Sequence, residues 1–445
     1  MTAAVEESTV YENLVEETGQ LRPDQPPPPP KGRTDYPHTL KVHLKCQSDC
    51  DKFARLVRRT LRSDQKSFVF TEGSRTKPEN WVFIEKRKHP SHKNHNYRNR
   101  LESKLWGGTT DFTNDEIPPY ITFKVTFRSE KQYIAFTRLV KHRLSLESSY
   151  MWFPRQDPES VKGLHWVSRF EDKNPQYPVY IVSKGRADSR LTSRSFERMG
   201  VPYYIVIEPQ DYDDYACLID EDKILVAPFS NHGDGPGRAR NWCWDHAISL
   251  GAKRHWVLDD NIDGFYRLFG NRRVKVSDGG IFRIAEEFVD RFENVPLAGF
   301  QYNFFIAPKS GYPPFILNTR IYSCLLIDNS CRHRWRGRYN EDTDLSLRIL
   351  KDGDCTIQFN EFLQAKVNTQ VLGGGNTAEF YAHEGTWNKS IMLEVAHPDV
   401  AKVVWRYGRW HHEVNYRPFK NNKPTLRAGA EGNPLRFDME LVSEK

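Results

Sequence analysis

The chain has 445 residues, a formal charge of +7, 27 prolines and an apolar share of 38%. That length allows two or three domains with separate cores, and the low apolar share with many prolines implies linker or disordered segments. The longest apolar run falls short of the ~18 residues a membrane span requires, the acidic start is unlike a signal peptide, and the scattered cysteines hold no CxxC pair. A zinc finger and a disulfide framework are therefore not indicated, and a soluble protein of a reducing cytoplasm is expected. The mild basic bias is compatible with a polyanionic partner.

Residues 1–36 are acidic and then proline-rich, with an unbroken run from Pro26 to Pro30, and read as a disordered or polyproline arm. Next comes an internal repeat. The alternating strand Leu40–Leu44 precedes a segment of helical spacing, Phe53–Leu61. The same pattern returns as Phe123–Phe127 and Phe136–Leu144, under a shift that carries Phe53 onto Phe136 without gaps. Aromatic strands close both units, Phe68–Phe70 and Met151–Phe153. A duplicated β-α-β unit over 37–155, with its two sheets joined, is expected as a small α+β domain. Within it the run from Lys86, Arg87 and Lys88 to Arg100 holds no acid, and it reads either as a phosphate-contacting DNA-binding loop or as a solvated one.

From about 156 to 416 the texture is α/β. Strands are expected at 179–183, 203–207, 223–226 and 255–258, with an arginine-rich helix after the first and another helix from Trp242 to Leu250. Such alternation predicts an α/β domain with a mostly parallel sheet and its site at the strands' carboxyl ends. The strand Trp256–Val257–Leu258 stops abruptly at Asp259, Asp260 and Asn261. One or two carboxylates suffice to hold Mg²⁺ or Mn²⁺ beside a diphosphate, because phosphate oxygens and water complete the shell. A turn or capping cluster is the plainer alternative. Upstream, Gly235–Asn241 is a glycine-rich helix entry. Its backbone amides favour an anion, with Gly237, Arg240 and Asn241 as candidate contacts to a nucleotide-sugar, and a flexible turn is the plainer alternative. Lys184 and Arg186, just after the first strand, are candidates on the same grounds.

Downstream, Glu341, Asp342 and Asp344 precede an amphipathic helix, Leu345–Leu350, and are either capping acids or the general base of a transfer. The preceding Arg332–Arg338 run is basic and aromatic, so Arg334, Arg336 and Arg338 are expected to meet a polyanionic acceptor. The loop Leu372–Thr377, with Gly374, is expected to close over the donor, and His383 to complete a metal shell. Trp405–His412 interleaves aromatics with cations, as base stacking or a packed edge would require. From residue 417 to 445 the chain reads as a polar tail.

The Ser183–Arg186 loop, the Gly237–Asn241 segment, the Leu258–Asn261 ending and Asn340–Leu345 together resemble the TET-associated glycosyltransferases of phages, relatives of the trypanosome enzyme that makes glucosylated base J. The resemblance covers roughly 160–415. It implies a GT-A fold, in which a Rossmann-like nucleotide-binding half joins an acceptor half. It also implies inverting transfer of a sugar, glucose being expected, from a UDP-sugar to a 5-hydroxymethylpyrimidine of DNA, either hydroxymethylcytosine or hydroxymethyluracil. A phage-encoded protein of this kind would act in the host cytoplasm. Asp259 and Asn261 would take the outer positions of the DxD-like motif, with Asp260 sharing the metal, and Asp342 would be the base with Glu341 alongside. Asn261 departs from the commoner acid at the third position. The alternatives are a glycosyltransferase acting on polysaccharide or protein, a non-catalytic DNA-binding protein with a degenerate GT-A fold, and, least favoured, a metal-dependent nuclease.

Overall fold

The computed structural model describes residues 38–71, 83–84, 101–107, 109–115, 119–142, 144, 148–154, 161–231, 233, 235–307, 310–367, 387–406, 409–430 and 437–443. The arm 1–36, the basic residues Lys86, Arg87 and Lys88, Gly374 and His383 lie outside the described residues.

The first part of the chain contains β1 (His38–Leu44), α1 (Gln47–Leu56), the short β2 (Leu61–Arg62), β3 (Ser67–Val69) and β4 (Phe83–Ile84), and α2 (Leu101–Trp106). It continues with β5 (Ile121–Phe127), α3 (Glu130–Leu139) and β6 (Tyr150–Phe153). Strands β1 and β5 bury alternate residues and pair antiparallel from His38 opposite Phe127 to Leu44 opposite Ile121. The sheet order is β3-β5-β1-β6, so each repeat unit contributes one central and one edge strand. The two central strands pair antiparallel, and each edge strand pairs parallel with the central strand of the other unit. Phe53 and Phe136, equivalent in the repeat, meet beneath it with ring centroids 6.4 Å apart at 83°. The backbone repeats too: Arg58 and Lys141, related by the same shift, leave their helices with φ of 54° and 55°. Both helices begin earlier than their apolar spacing suggests, because their first turns are polar; Ser129 caps α3 by accepting from the Gln132 amide.

The second body is built on a twelve-stranded sheet. In chain order its elements are β7 (Leu164–Ser168), β8 (Val179–Val182), α4 (Leu191–Met199), β9 (Tyr204–Ile207), α5 (Tyr212–Ala216), β10 (Ile224–Val226), α6 (Gly237–Ser249), β11 (Arg254–Asp259), β12 (Ile262–Phe269), β13 (Arg272–Val276), α7 (Gly280–Asp290), β14 (Leu297–Tyr302), β15 (Phe315–Leu317), β16 (Cys324–Asp328), α8 (Glu341–Lys351) and β17 (Thr356–Lys366). After these come α9 (Trp387–Ala396), the hairpin of β18 (Ala401–Arg406) and β19 (Arg409–Val414), and β20 (Met439–Ser443). The order is β10-β9-β8-β11-β16-β14-β17-β12-β13-β7-β20, with β15 beside β17. Only β12, β15, β16 and β20 run against the rest, so the sheet is mostly parallel by strand direction.

Helices cover both faces, which is why β11 reads as an unbroken apolar run. Trp256 and Leu258 join the core under α4 and α7, while Val257 packs on the opposite face with Trp244 of α6 and Leu345 of α8. The result is a three-layer α/β domain with a mostly parallel sheet.

Two expected boundaries are corrected by packing. The segment 101–115, placed in the first domain by its position between the repeats, belongs to the large core. Trp106 sits 4.8 Å from Phe288, and Asn114 donates to the Ser310 carbonyl at 3.0 Å. Residues 417–445, expected as a tail, are tied in as well. Strand β20 pairs antiparallel with β7, and Asn422 donates to the carbonyls of Leu350 and Asp354. An edge strand with one wet face carries too few apolar residues to stand out in a polar sequence.

Candidate active site

The parallel strands β8, β9, β10 and β11 end on one side of the sheet, and their following loops line a cleft of about 360 Å³. Ser183, Lys184 and Arg186 follow β8, Glu208 follows β9, and Asp259 closes β11. This is the carboxyl-end crevice where α/β sheets bind ligands. The first turn of α6 supplies Arg238 and Arg240 to the wall, and Glu341 and Asp342 of α8 face them. The acids lie in the first turn of α8 rather than before it, where the helix dipole favours negative charge.

Arg240 joins the two acidic segments. Its Nη2 donates to Asp259 Oδ1 at 2.8 Å, while Nη1 donates to Glu341 Oε1 at 3.0 Å and to Asp342 Oδ1 at 2.5 Å. The guanidinium is 3% exposed and lies 4.6 Å over the Trp335 ring. The second oxygen of Asp259 accepts from Lys366 Nζ at 2.5 Å, and the same ammonium donates to Ser323 Oγ at 2.7 Å.

This charge arrangement separates the two carboxyls. Burial alone would raise Asp259, but Lys366 and Arg240 hold it well below the usual carboxylate range. For Asp342 burial prevails over the attraction of Arg240, and the charges of Glu341 and Asp259 add to it, so its pKa rises to about 7. Two carboxyls with opposed shifts in one cleft make it a candidate acid–base site, because a base poised near neutrality is efficient.

The expected metal shell is not assembled. Asp260 turns inward, where Oδ1 accepts from Arg186 Nη1 at 2.6 Å and Oδ2 from Ser183 Oγ at 2.8 Å. Asn261 donates its amide to the Val367 carbonyl at 3.0 Å and is 2% exposed. With both Asp259 oxygens also engaged by cations, the Asp259–Asp260–Asn261 set does not fit a divalent ion as it stands. Among the described residues no group of three His, Cys, Asp or Glu side chains is placed to hold one.

Several other expected contacts are reassigned. Arg240 binds three carboxylates, which puts it among the acids rather than on a diphosphate. Asn241 is occupied in both directions by the Trp335 backbone, donating to its carbonyl at 2.9 Å and accepting from its amide at 3.0 Å. Gly237 opens α6 and is buried, and the neighbouring Gly235 is the glycine the geometry demands. Its φ is +86°, and a Cβ there would stand 2.6 Å from the Arg338 carbonyl oxygen. Of the arginines expected to meet DNA, Arg334 pairs with Asp245 at 3.1 Å and stacks on Trp244. Arg336 pairs with the buried Asp344 at 3.0 Å, a carboxylate that also holds Arg348 and His397. Arg338 does line the cleft. In the 405–412 segment Trp410 lies 5.0 Å from Trp405, and it lies equally close to Trp387 of α9.

Lys366 and Ser323 were not anticipated. Lys366 ends β17 as Asp259 ends β11, and a polar residue closing a long strand was the available signal. That strand contains Gln358, Asn360, Glu361 and Gln364, all buried, which disguises it as irregular chain. Tyr302 and Tyr322, stacked at 6.0 Å, and His412 complete the far wall. Burial, with Lys389 and Arg320 nearby, lowers the His412 pKa to about 4, so it faces the cleft neutral at pH 7.

Residues 177–375 match the family model described as TET-Associated Glycosyltransferase, the family that the sequence motifs resemble. Among solved structures, one titled as a nucleotide-diphospho-sugar transferase from Desulfovibrio desulfuricans G20 is similar at 10% identity with a TM-score of 0.26, over 50% of this chain and 96% of that chain. No curated protein matches the chain.

Proposed function

We propose, for a chain whose residues 177–375 carry a TET-associated glycosyltransferase domain, that the enzyme moves a sugar from a UDP-sugar, glucose first, to the hydroxymethyl oxygen of a 5-hydroxymethylpyrimidine in DNA. The observation that carries the chemistry is Asp342: a buried carboxyl on the cleft wall, raised to about 7 and held at one oxygen by Arg240. In the proposed step the acceptor oxygen attacks the anomeric carbon of the sugar as its proton passes to Asp342 Oδ2. The bond from that carbon to the diphosphate oxygen breaks with its electron pair, and UDP departs. A single displacement inverts the anomeric centre.

The donor would lie over the ends of β8 to β11, where Lys184, Arg186 and Arg238 border the cleft. DNA as acceptor is supported by the family resemblance and by the net charge of +7. A base inside a duplex would have to leave the stack to reach the cleft, at a cost of a few kcal/mol. A glycan or protein hydroxyl is the second reading. What favours it is the engagement of Arg334 and Arg336 in ion pairs, which removes two of the expected phosphate contacts.

The test is mass spectrometry of nucleosides after incubation of hydroxymethylated DNA with several UDP-sugars, beside unmodified DNA and glycans. A hexosylated hydroxymethylpyrimidine is expected. UDP release with glycans but with neither DNA would replace the DNA reading by the second one.

A further inference from the structure

The position where a metal-bridged diphosphate was expected is occupied by side-chain cations. Asp259 gives one oxygen to Arg240 Nη2 at 2.8 Å and the other to Lys366 Nζ at 2.5 Å. Both oxygens of Asp260 are turned to Arg186 and Ser183. A divalent ion placed against Asp259 would have to displace Lys366 or lie within a few ångströms of two fixed cations. At a partly buried site like charges a few ångströms apart repel strongly, so that juxtaposition is unfavourable.

Lys366 has the properties that the position requires. It borders the cleft at the end of β17, beside Asp259 and Asp342. The ammonium carries three donors. Asp259 and Ser323 take two and orient the group, and the third is available to a ligand oxygen. Arg240 commits both Nη groups to three carboxylates and its side chain is 4% exposed, against 15% for Lys366. Of the two cations on Asp259, Lys366 is the one more open to the cleft, and it keeps a donor for phosphate.

We infer that Lys366 is a diphosphate-binding residue that neutralises the leaving nucleotide in place of a divalent cation, so that nucleotide binding at this cleft is independent of metal. The inference rests on the reading of the cleft as a nucleotide-sugar donor site. It assigns Asp259 a positioning role: its carboxylate holds the lysine out toward the phosphate oxygens, where charge accumulates as the anomeric bond breaks.

Titration calorimetry of UDP against the full chain tests this, once with EDTA and once with Mn²⁺. The wild-type protein is expected to bind UDP with the same affinity in both. Lys366→Met should weaken binding by about tenfold or more, as loss of a charged hydrogen bond does, and Mn²⁺ should not restore it. Lys366→Arg should keep most of the affinity, since it retains the charge and removes the risk that Lys366→Met fails by leaving Asp259 unpaired. UDP binding that appears only with Mn²⁺, or that strengthens about tenfold with it, would overturn the assignment and leave the donor site standing. Failure of UDP to bind in either buffer would overturn the donor site and the assignment together.

Discussion

Arg240 Nη1 lies 2.5 Å from Asp342 Oδ1, a contact between residues 102 positions apart that joins the start of α6 to the start of α8. The same guanidinium reaches Asp259 at the end of β11, so one buried cation aligns the acid at the strand end with the acid on the opposite helix. Removing it leaves three carboxylates near one another, with Lys366 still paired to Asp259.

Arg240→Met is therefore expected to destabilise the fold by about 3–5 kcal/mol, the range for breaking a buried charge network from one side. Urea denaturation at pH 7.5 measures it. A loss under 1 kcal/mol would show that water or rearranged side chains replace the guanidinium.

The pH profile should report Asp342. Its ionised form is the base, and its pKa is raised to about 7, so kcat/KM should rise tenfold per pH unit below that value and level off above it. Glu341 contributes to the shift by charge repulsion. Glu341→Gln should then move this limb to lower pH, and a limb that moves upward or stays fixed would contradict the electrostatic account. Asp342→Asn should abolish transfer with UDP binding retained. For stability the sign is opposite: the contribution of a raised carboxyl is present below its ordinary value near 3.8 and is lost as pH rises through about 7.

Asn241→Ala separates a structural from a substrate role. The side chain exchanges two hydrogen bonds with the Trp335 backbone, and its loss leaves both groups unsatisfied, at about 1–3 kcal/mol. The melting temperature should fall with little change in the apparent donor affinity. Weakened donor binding in a protein of unchanged stability would return Asn241 to the nucleotide.

Gly235→Ala should lower stability and activity together. The backbone is in the left-handed region and a Cβ would meet the Arg338 carbonyl oxygen, so the loop before α6 must shift from the run that precedes α8. A cost of about 1–3 kcal/mol is expected from the conformation. Thermal denaturation beside a transfer assay checks both effects, and a neutral substitution would mean that the two segments are not held together there.

The readable parts of the sequence were those that repeat or that respect a period. The duplication was visible because Phe53 and Phe136, with their flanking apolar residues, occupy equivalent core positions, and the backbone at Arg58 and Lys141 follows the same rule. The apolar run ending in Asp259 marked a strand buried on both faces. Strand β17 was hidden because its buried polar residues find hydrogen-bond partners elsewhere in the fold, although Glu361 Oε2 and Gln364 Oε1 have none among the described residues. Glu361 pairs with Arg267 at 2.8 Å and Gln364 donates to the carbonyls of Phe300 and Tyr322. In the sequence, where those partners are far away, the segment does not read as core.

The sequence by itself determined the α/β texture, the duplicated first unit and the identity of the acidic segments, because periodicity and composition are local and survive without coordinates. The tertiary structure decided what each charge does. Arg334 and Arg336, alike in the sequence with Arg338, are drawn to Asp245 and Asp344, whereas Arg338 borders the cleft. Asp259 and Asp260 are adjacent in the chain, yet one faces Lys366 and Arg240 while the other turns to Arg186 and Ser183. Neighbours along the end of a strand point apart, and the electrostatics of a buried group depends on what folding places opposite it.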